Sequence, residues 1–76
     1  PFNPTTKITY QILELSFVTL KVYDVLGNEI EILVNEEKLA GSYEVEFEGE
    51  GLPSGVYFCR IKAGDFVKTM KMVLLK

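Results

Sequence analysis

The side chains able to do chemistry in this 76-residue chain are few. It contains no histidine, so the commonest general base near neutral pH is missing. Ser16, Ser42 and Ser54 stand without an evident activating base. Cys59, the one cysteine, has no second cysteine to bridge and no histidine to ionise it. It reads as a small apolar group inside a strand rather than as a nucleophile. Glu44, Glu46 and Glu48 recur every second residue, which sets three carboxylates about 7 Å apart along one extended face. Such a ladder offers calcium two oxygen ligands. The plainer reading is a solvated face that keeps a sheet soluble. Asp24, Asn28 and Glu29 cluster near a turn but lack the oxygen-rich spacing of a known cation loop. No glycine-rich phosphate loop precedes a helix. Most aromatic residues alternate with polar ones and belong in a core. Tyr23 and Phe58 fall out of that pattern and are candidates for an exposed platform. Catalysis, metal and cofactors are therefore not expected.

The elements that carry these residues alternate with a period of two. Residues 7–12 place Ile8, Tyr10 and Ile12 on one face. Residues 17–24 place Val18, Leu20 and Val22 on one face and Thr19, Lys21 and Tyr23 on the other. Leu26-Gly27-Asn28-Glu29 supplies a turn, because Gly and Asn tolerate positive φ. A return strand comes next on Ile30, Ile32 and Val34, giving a hairpin. Residues 35–40 read as a polar connection, with room for a single helical turn. Residues 42–48 form a clear strand, with Tyr43, Val45 and Phe47 facing away from the three glutamates. Gly49-Glu50-Gly51 ends it. Pro53 and Gly55 then turn the chain into a strand with Tyr57, Cys59 and Ile61 on one side and Val56, Phe58 and Arg60 on the other. Ala63-Gly64-Asp65 is a second hairpin turn. In residues 66–75 two apolar sets compete for the inside: Phe66, Met70, Met72 and Leu74 against Val67, Val73 and Leu75. Lys68, Lys71 and Lys76 would guard that strand's edge.

Short strands with turns between them and no helical period predict an all-β fold. The expected form is a small antiparallel immunoglobulin-like β-sandwich of six to seven strands. Tyr57, two residues before Cys59, is placed like the tyrosine corner of such sandwiches, whose hydroxyl bonds back to nearby backbone. A tryptophan and a second cysteine are missing, so the sheets must be pinned by Tyr57 and aliphatic packing. With 47% apolar and 25% charged residues the chain is globular. A net charge of −3 without a concentrated basic patch argues against nucleic acid. No apolar run approaches the roughly 20 residues of a membrane helix. Pro1-Phe2-Asn3-Pro4 opens residues 1–6, read as the end of a linker from an upstream domain. Residues 7–76 are read as one domain at the C-terminal end of a longer polypeptide.

Five stretches carry a resemblance: Pro1-Phe2-Asn3-Pro4-Thr5-Thr6, Val22-Tyr23-Asp24-Val25-Leu26-Gly27, Gly41-Ser42-Tyr43, Leu52-Pro53-Ser54-Gly55-Val56-Tyr57-Phe58 and Lys71-Met72-Val73-Leu74-Leu75-Lys76. In this order the chain resembles the type A C-terminal sorting domain of type IX secretion (Por secretion) cargo. The same core resembles the immunoglobulin-like domain of flagellar hook-capping proteins. The sorting-domain resemblance implies an address rather than a catalyst. It implies cargo taken through the outer membrane of a Gram-negative bacterium to be secreted or held at the cell surface. The implied partners are the outer-membrane type IX translocon and a cell-surface sortase. Gly27, Gly41, Tyr43, Gly55, Tyr57 and Lys71 match the family pattern. Turns explain the glycines and inter-sheet packing the tyrosines. Lys71 has no such account and is the candidate recognition contact. Cys59 departs from the family's usual aromatic, and Glu14-Leu15-Ser16 lacks the Pro or Gly common in the first turn. Self-association through the last strand is a further expectation. A structural spacer or adhesion domain and a carbohydrate-binding accessory domain are the alternative readings.

Overall fold

Alternation becomes burial most plainly in β2 (Ser16–Tyr23), where Val18, Leu20 and Val22 are fully buried. Fully burying each such side chain contributes about 1.5–3 kcal/mol. The structure is a computed structural model that describes residues 5–75. The other strands are β1 (Thr5–Ile12), β3 (Glu29–Lys38), β4 (Gly41–Glu48), β5 (Gly55–Ala63) and β6 (Phe66–Leu74). All pairings are antiparallel. One sheet has the order β1-β4 and the other β3-β2-β5-β6. No helix occurs among the described residues. The result is the small all-β sandwich expected.

The core lies between the sheets. Ile8 and Ile12 of β1 and Phe47 of β4 meet the β2 trio, Val34 of β3, and Tyr57, Cys59 and Ile61 of β5. The competition within β6 is resolved by sheet phase. Met70, Met72 and Leu74 pack against the core, while Val67 and Val73 face solvent. Phe66, expected with the first set, is exposed beside the turn.

The two hairpins form where the turn residues place them, β2–β3 and β5–β6. Ala63 pairs with Phe66, so Gly64-Asp65 is a two-residue loop. Gly64 has φ of 60° and Asp65 is not in the positive region. That matches a turn with glycine at its first central position, whose twist suits a hairpin. The other three connections cross between sheets. Leu13-Glu14-Leu15 therefore makes no hairpin, which accounts for its lack of a tight-turn residue.

Three expectations on the strands are corrected. Residues 35–38 are neither a connection nor a helical turn; they continue β3, paired with Thr19, Val18, Phe17 and Ser16. An edge strand tolerates that polarity because its free side meets water. Ile32 is not inside with Ile30 and Val34 but 48% exposed. The β2–β3 register slips between Leu20 and Lys21 and again between Val22 and Tyr23. Each slip inserts one unpaired residue, Leu33 and Ile30, and so reverses the facing of the residues beyond it. Leu33 thus packs against the core in place of Ile32. Finally, β1 begins at Thr5 rather than Lys7, with Thr5 opposite Glu48 and Thr6 opposite Phe47. The readings of Pro1-Phe2-Asn3-Pro4 and Lys76 lie outside the described residues.

Candidate functional site

A glycine with a tyrosine two residues beyond it opens both β4 and β5. Gly55 has φ of 159° and Gly41 of 157°, a conformation that side chains with a Cβ rarely adopt. Tyr57, only 6% exposed, donates its hydroxyl to the Pro53 carbonyl at 2.7 Å. Tyr43 does the same to the Leu39 carbonyl at 2.6 Å. Each bond reaches back four residues and ties the strand to the connection that enters it. The corner at Tyr57 was legible from its place before Cys59. The matching corner at Tyr43 was not foreseen, although the repeated Gly-x-Tyr was its signal. Tyr43 also stacks on Tyr10, ring centroids 5.4 Å apart, and Lys38 Nζ lies 4.9 Å from the Tyr43 centroid. The Lys38 ammonium is held above its usual value, first by its hydrogen bond to Glu36. Burial raises the Tyr10 phenol.

Around Gly27 the chemistry is also used up by the turn. Asp24 Oδ1 accepts from the backbone N–H groups of Leu26 and Asn28, both at 2.9 Å. Its Oδ2 accepts from the Asn28 side-chain amide at 3.1 Å. The Asn28 backbone N–H leads the interactions that lower the Asp24 pKa. Gly27 takes φ of 87°, which the loop requires. Asp24 thus fastens the β2–β3 turn. Glu44, Glu46 and Glu48 point outward from β4, with Lys7 Nζ 3.9 Å from Glu44. Among the described residues no group of acidic, Cys or His side chains is arranged to hold a metal.

Cys59 is fully buried, and burial pushes its thiol from the ordinary 9.0 up to about 11. A protonated, covered thiol is a poor nucleophile.

The outer face of the four-stranded sheet mixes half-buried rings with exposed polar side chains, so Tyr23 and Phe58 are less open than the sequence led one to expect. Tyr23 lies opposite Phe58, and Phe58 opposite Lys71. The next row runs Lys21, Arg60, Thr69, and the one beyond it Thr19, Lys62, Val67. A shallow hollow of about 370 Å³ is lined by Tyr23, Asp24, Val25, Gly27, Phe58, Arg60 and Thr69. Lys71 is exposed and makes no ion pair among the described residues. The six family-matched positions are therefore not one cluster. Gly41 and Tyr43 sit at the end of the sandwich where β1 finishes, opposite Ile12 and Tyr10. Gly55 sits at the other end, opposite Leu74, and Gly27 lies in the β2–β3 turn at that same end. Lys71 alone lies on the open face. Lys21, Arg60 and Lys62 were missed as its companions. Their odd and even positions put them there only once β2, β5 and β6 are known to be neighbours.

No curated protein and no solved structure matched the chain. The family model described as the secretion system C-terminal sorting domain matches residues 1–75. That domain is the sorting signal of type IX secretion cargo, which is secreted or attached at the cell surface, and no catalytic role is indicated for it. With two glycine-tyrosine corners fixing a thin sandwich and an open face of aromatic and cationic side chains, the chain belongs to the type IX secretion C-terminal sorting domain family.

Proposed function

We propose that this domain is read as a folded object by the outer-membrane type IX translocon, and that Lys71 is one of the contacts read. Gly27, Gly41, Tyr43, Gly55 and Tyr57 act through the fold: they set the turns and corners that hold the sheets in place. The domain performs no reaction, and a cell-surface sortase acts on it or beside it. The observation that carries the reading is the contrast between these residues. The two tyrosine hydroxyls are bonded to backbone, whereas the Lys71 ammonium is exposed, beside Phe58, with no ion pair among the described residues.

The test is Lys71→Ala in the full-length cargo, expressed in a cell with a working type IX system. An exposed cation without a partner adds little to stability, within about 0.5 kcal/mol. Thermal melting should therefore hardly move while surface-delivered cargo falls. Normal delivery of the variant removes Lys71 from the reading.

A further inference from the structure

We propose that the outer face of the β3-β2-β5-β6 sheet docks onto an acidic protein surface, an inference that rests on the sorting reading above.

The face is cationic in an acidic chain. The chain has 11 acidic and 8 basic residues. Yet the outward positions of β2, β5 and β6 carry Lys21, Arg60, Lys62 and Lys71 and no Asp or Glu. Acidic residues on this side lie at its margins, Glu29 and Glu37 on β3 and Asp24 in the β2–β3 turn, where the turn's own N–H groups hold the Asp24 carboxylate. Lys21 and Arg60 are direct cross-strand neighbours. Like charges so placed destabilise a sheet. Glu29 relieves Lys21 at 3.2 Å, but Arg60, Lys62 and Lys71 have no ion pair among the described residues. The free domain thus holds a repulsion that an incoming set of carboxylates would remove.

The shape of the face selects the class of anion. Lys21, Arg60 and Lys62 line one shallow hollow of about 200 Å³ with Thr19 and Tyr23, but Lys71 lies outside it on β6, so a single small anion cannot engage all four together. Tyr23 and Phe58 are half-buried between them and give the centre a drier floor, where charge pairing strengthens. A flat face with a guanidinium at its centre fits carboxylates displayed on another folded protein, which Arg60 can grip in bidentate fashion. The opposite sheet carries Glu44, Glu46 and Glu48 outward, so a partner of that charge meets repulsion if it approaches from the wrong side.

The test uses the full-length cargo in an exporting cell. One variant reverses the face, Arg60→Glu with Lys62→Glu. The control reverses the other side, Glu44→Lys with Glu46→Lys. Both pairs are solvent-facing, and resistance of the domain to added protease checks that each variant has folded. Surface cargo should fall about tenfold or more for the first and less than about twofold for the second. A photo-crosslinking residue at Thr69, opposite Arg60, should give a discrete adduct with an acidic protein, lost in the reversed variant. An adduct with polysaccharide or lipid, an adduct with a second copy of the cargo, or full export of the reversed variant overturns the proposal. Failure of the native cargo to reach the surface at all is a different result and sinks the sorting reading itself.

Discussion

Tyr57 and Cys59 are two residues apart on the same face of β5, and they hold the core in different ways. Tyr57 spans from the core to the Pro53 carbonyl, and its hydroxyl is part-buried. Removing that hydroxyl leaves a carbonyl short of a partner. Tyr57→Phe should cost about 1 kcal/mol in urea unfolding, and Tyr43→Phe less, because its bond is exposed to water. Cys59 contributes volume and a proton. The unfolded thiol ionises near 9.0 and the folded one near about 11. Between those values the native state keeps a proton that the unfolded state has released, so stability falls as pH rises from 9 towards 11. Cys59→Ala should flatten that part of the stability–pH curve, even though it leaves a small cavity at neutral pH. Both roles were legible beforehand from the phase of one strand. The second corner, at Tyr43, has the same Gly-x-Tyr spacing and the same reach of four residues, but Leu39-Ala40 lacks the Pro that marks the entry to β5.

Strands β4 and β6 belong to different sheets and meet through a missing side chain. A Cβ at Gly49, just past β4, would lie 2.8 Å from both methyl carbons of Leu74 on β6. The crowding atoms end a half-buried side chain that can turn aside, so Gly49→Val should cost about 1 kcal/mol. Leu74→Ala in the same chain should recover part of it. A double-mutant cycle measured by thermal melting reads that coupling directly, and additive losses would show that the contact is slack. Strand β3 teaches the limit of pattern reading. Its apolar residues Ile30, Ile32 and Val34 keep perfect alternation, yet two bulges send Ile32 outward and draw Leu33 in. A bulge is written in the backbone pairing with β2, not in the side chains of β3. The polar run from Asn35 to Lys38 was opaque for a similar reason: at an edge, pairing on one side is enough, and polarity no longer argues for a loop.

At 39 × 25 × 16 Å the molecule is a plate. Its radius of gyration of 12.8 Å exceeds the roughly 11 Å of a rounder domain of this length. So flat a body presents faces and edges more than cavities, and its charge is sorted by face. That sorting escaped a reading of composition, because −3 overall conceals a cationic side and an anionic one. Strand order decided it, and strand order depends on which connections cross between layers. The same crossings govern how the plate assembles. The two hairpins close from neighbouring residues, but Thr5 must wait for Glu48. Pairings so distant along the chain make acquisition of structure slow, and stopped-flow refolding should take milliseconds to seconds rather than microseconds. A polypeptide threaded from its first residue through a pore would keep Ile8 and Ile12 uncovered until β4 emerged, so this tag stays pliable until Glu48 has followed Thr5 out.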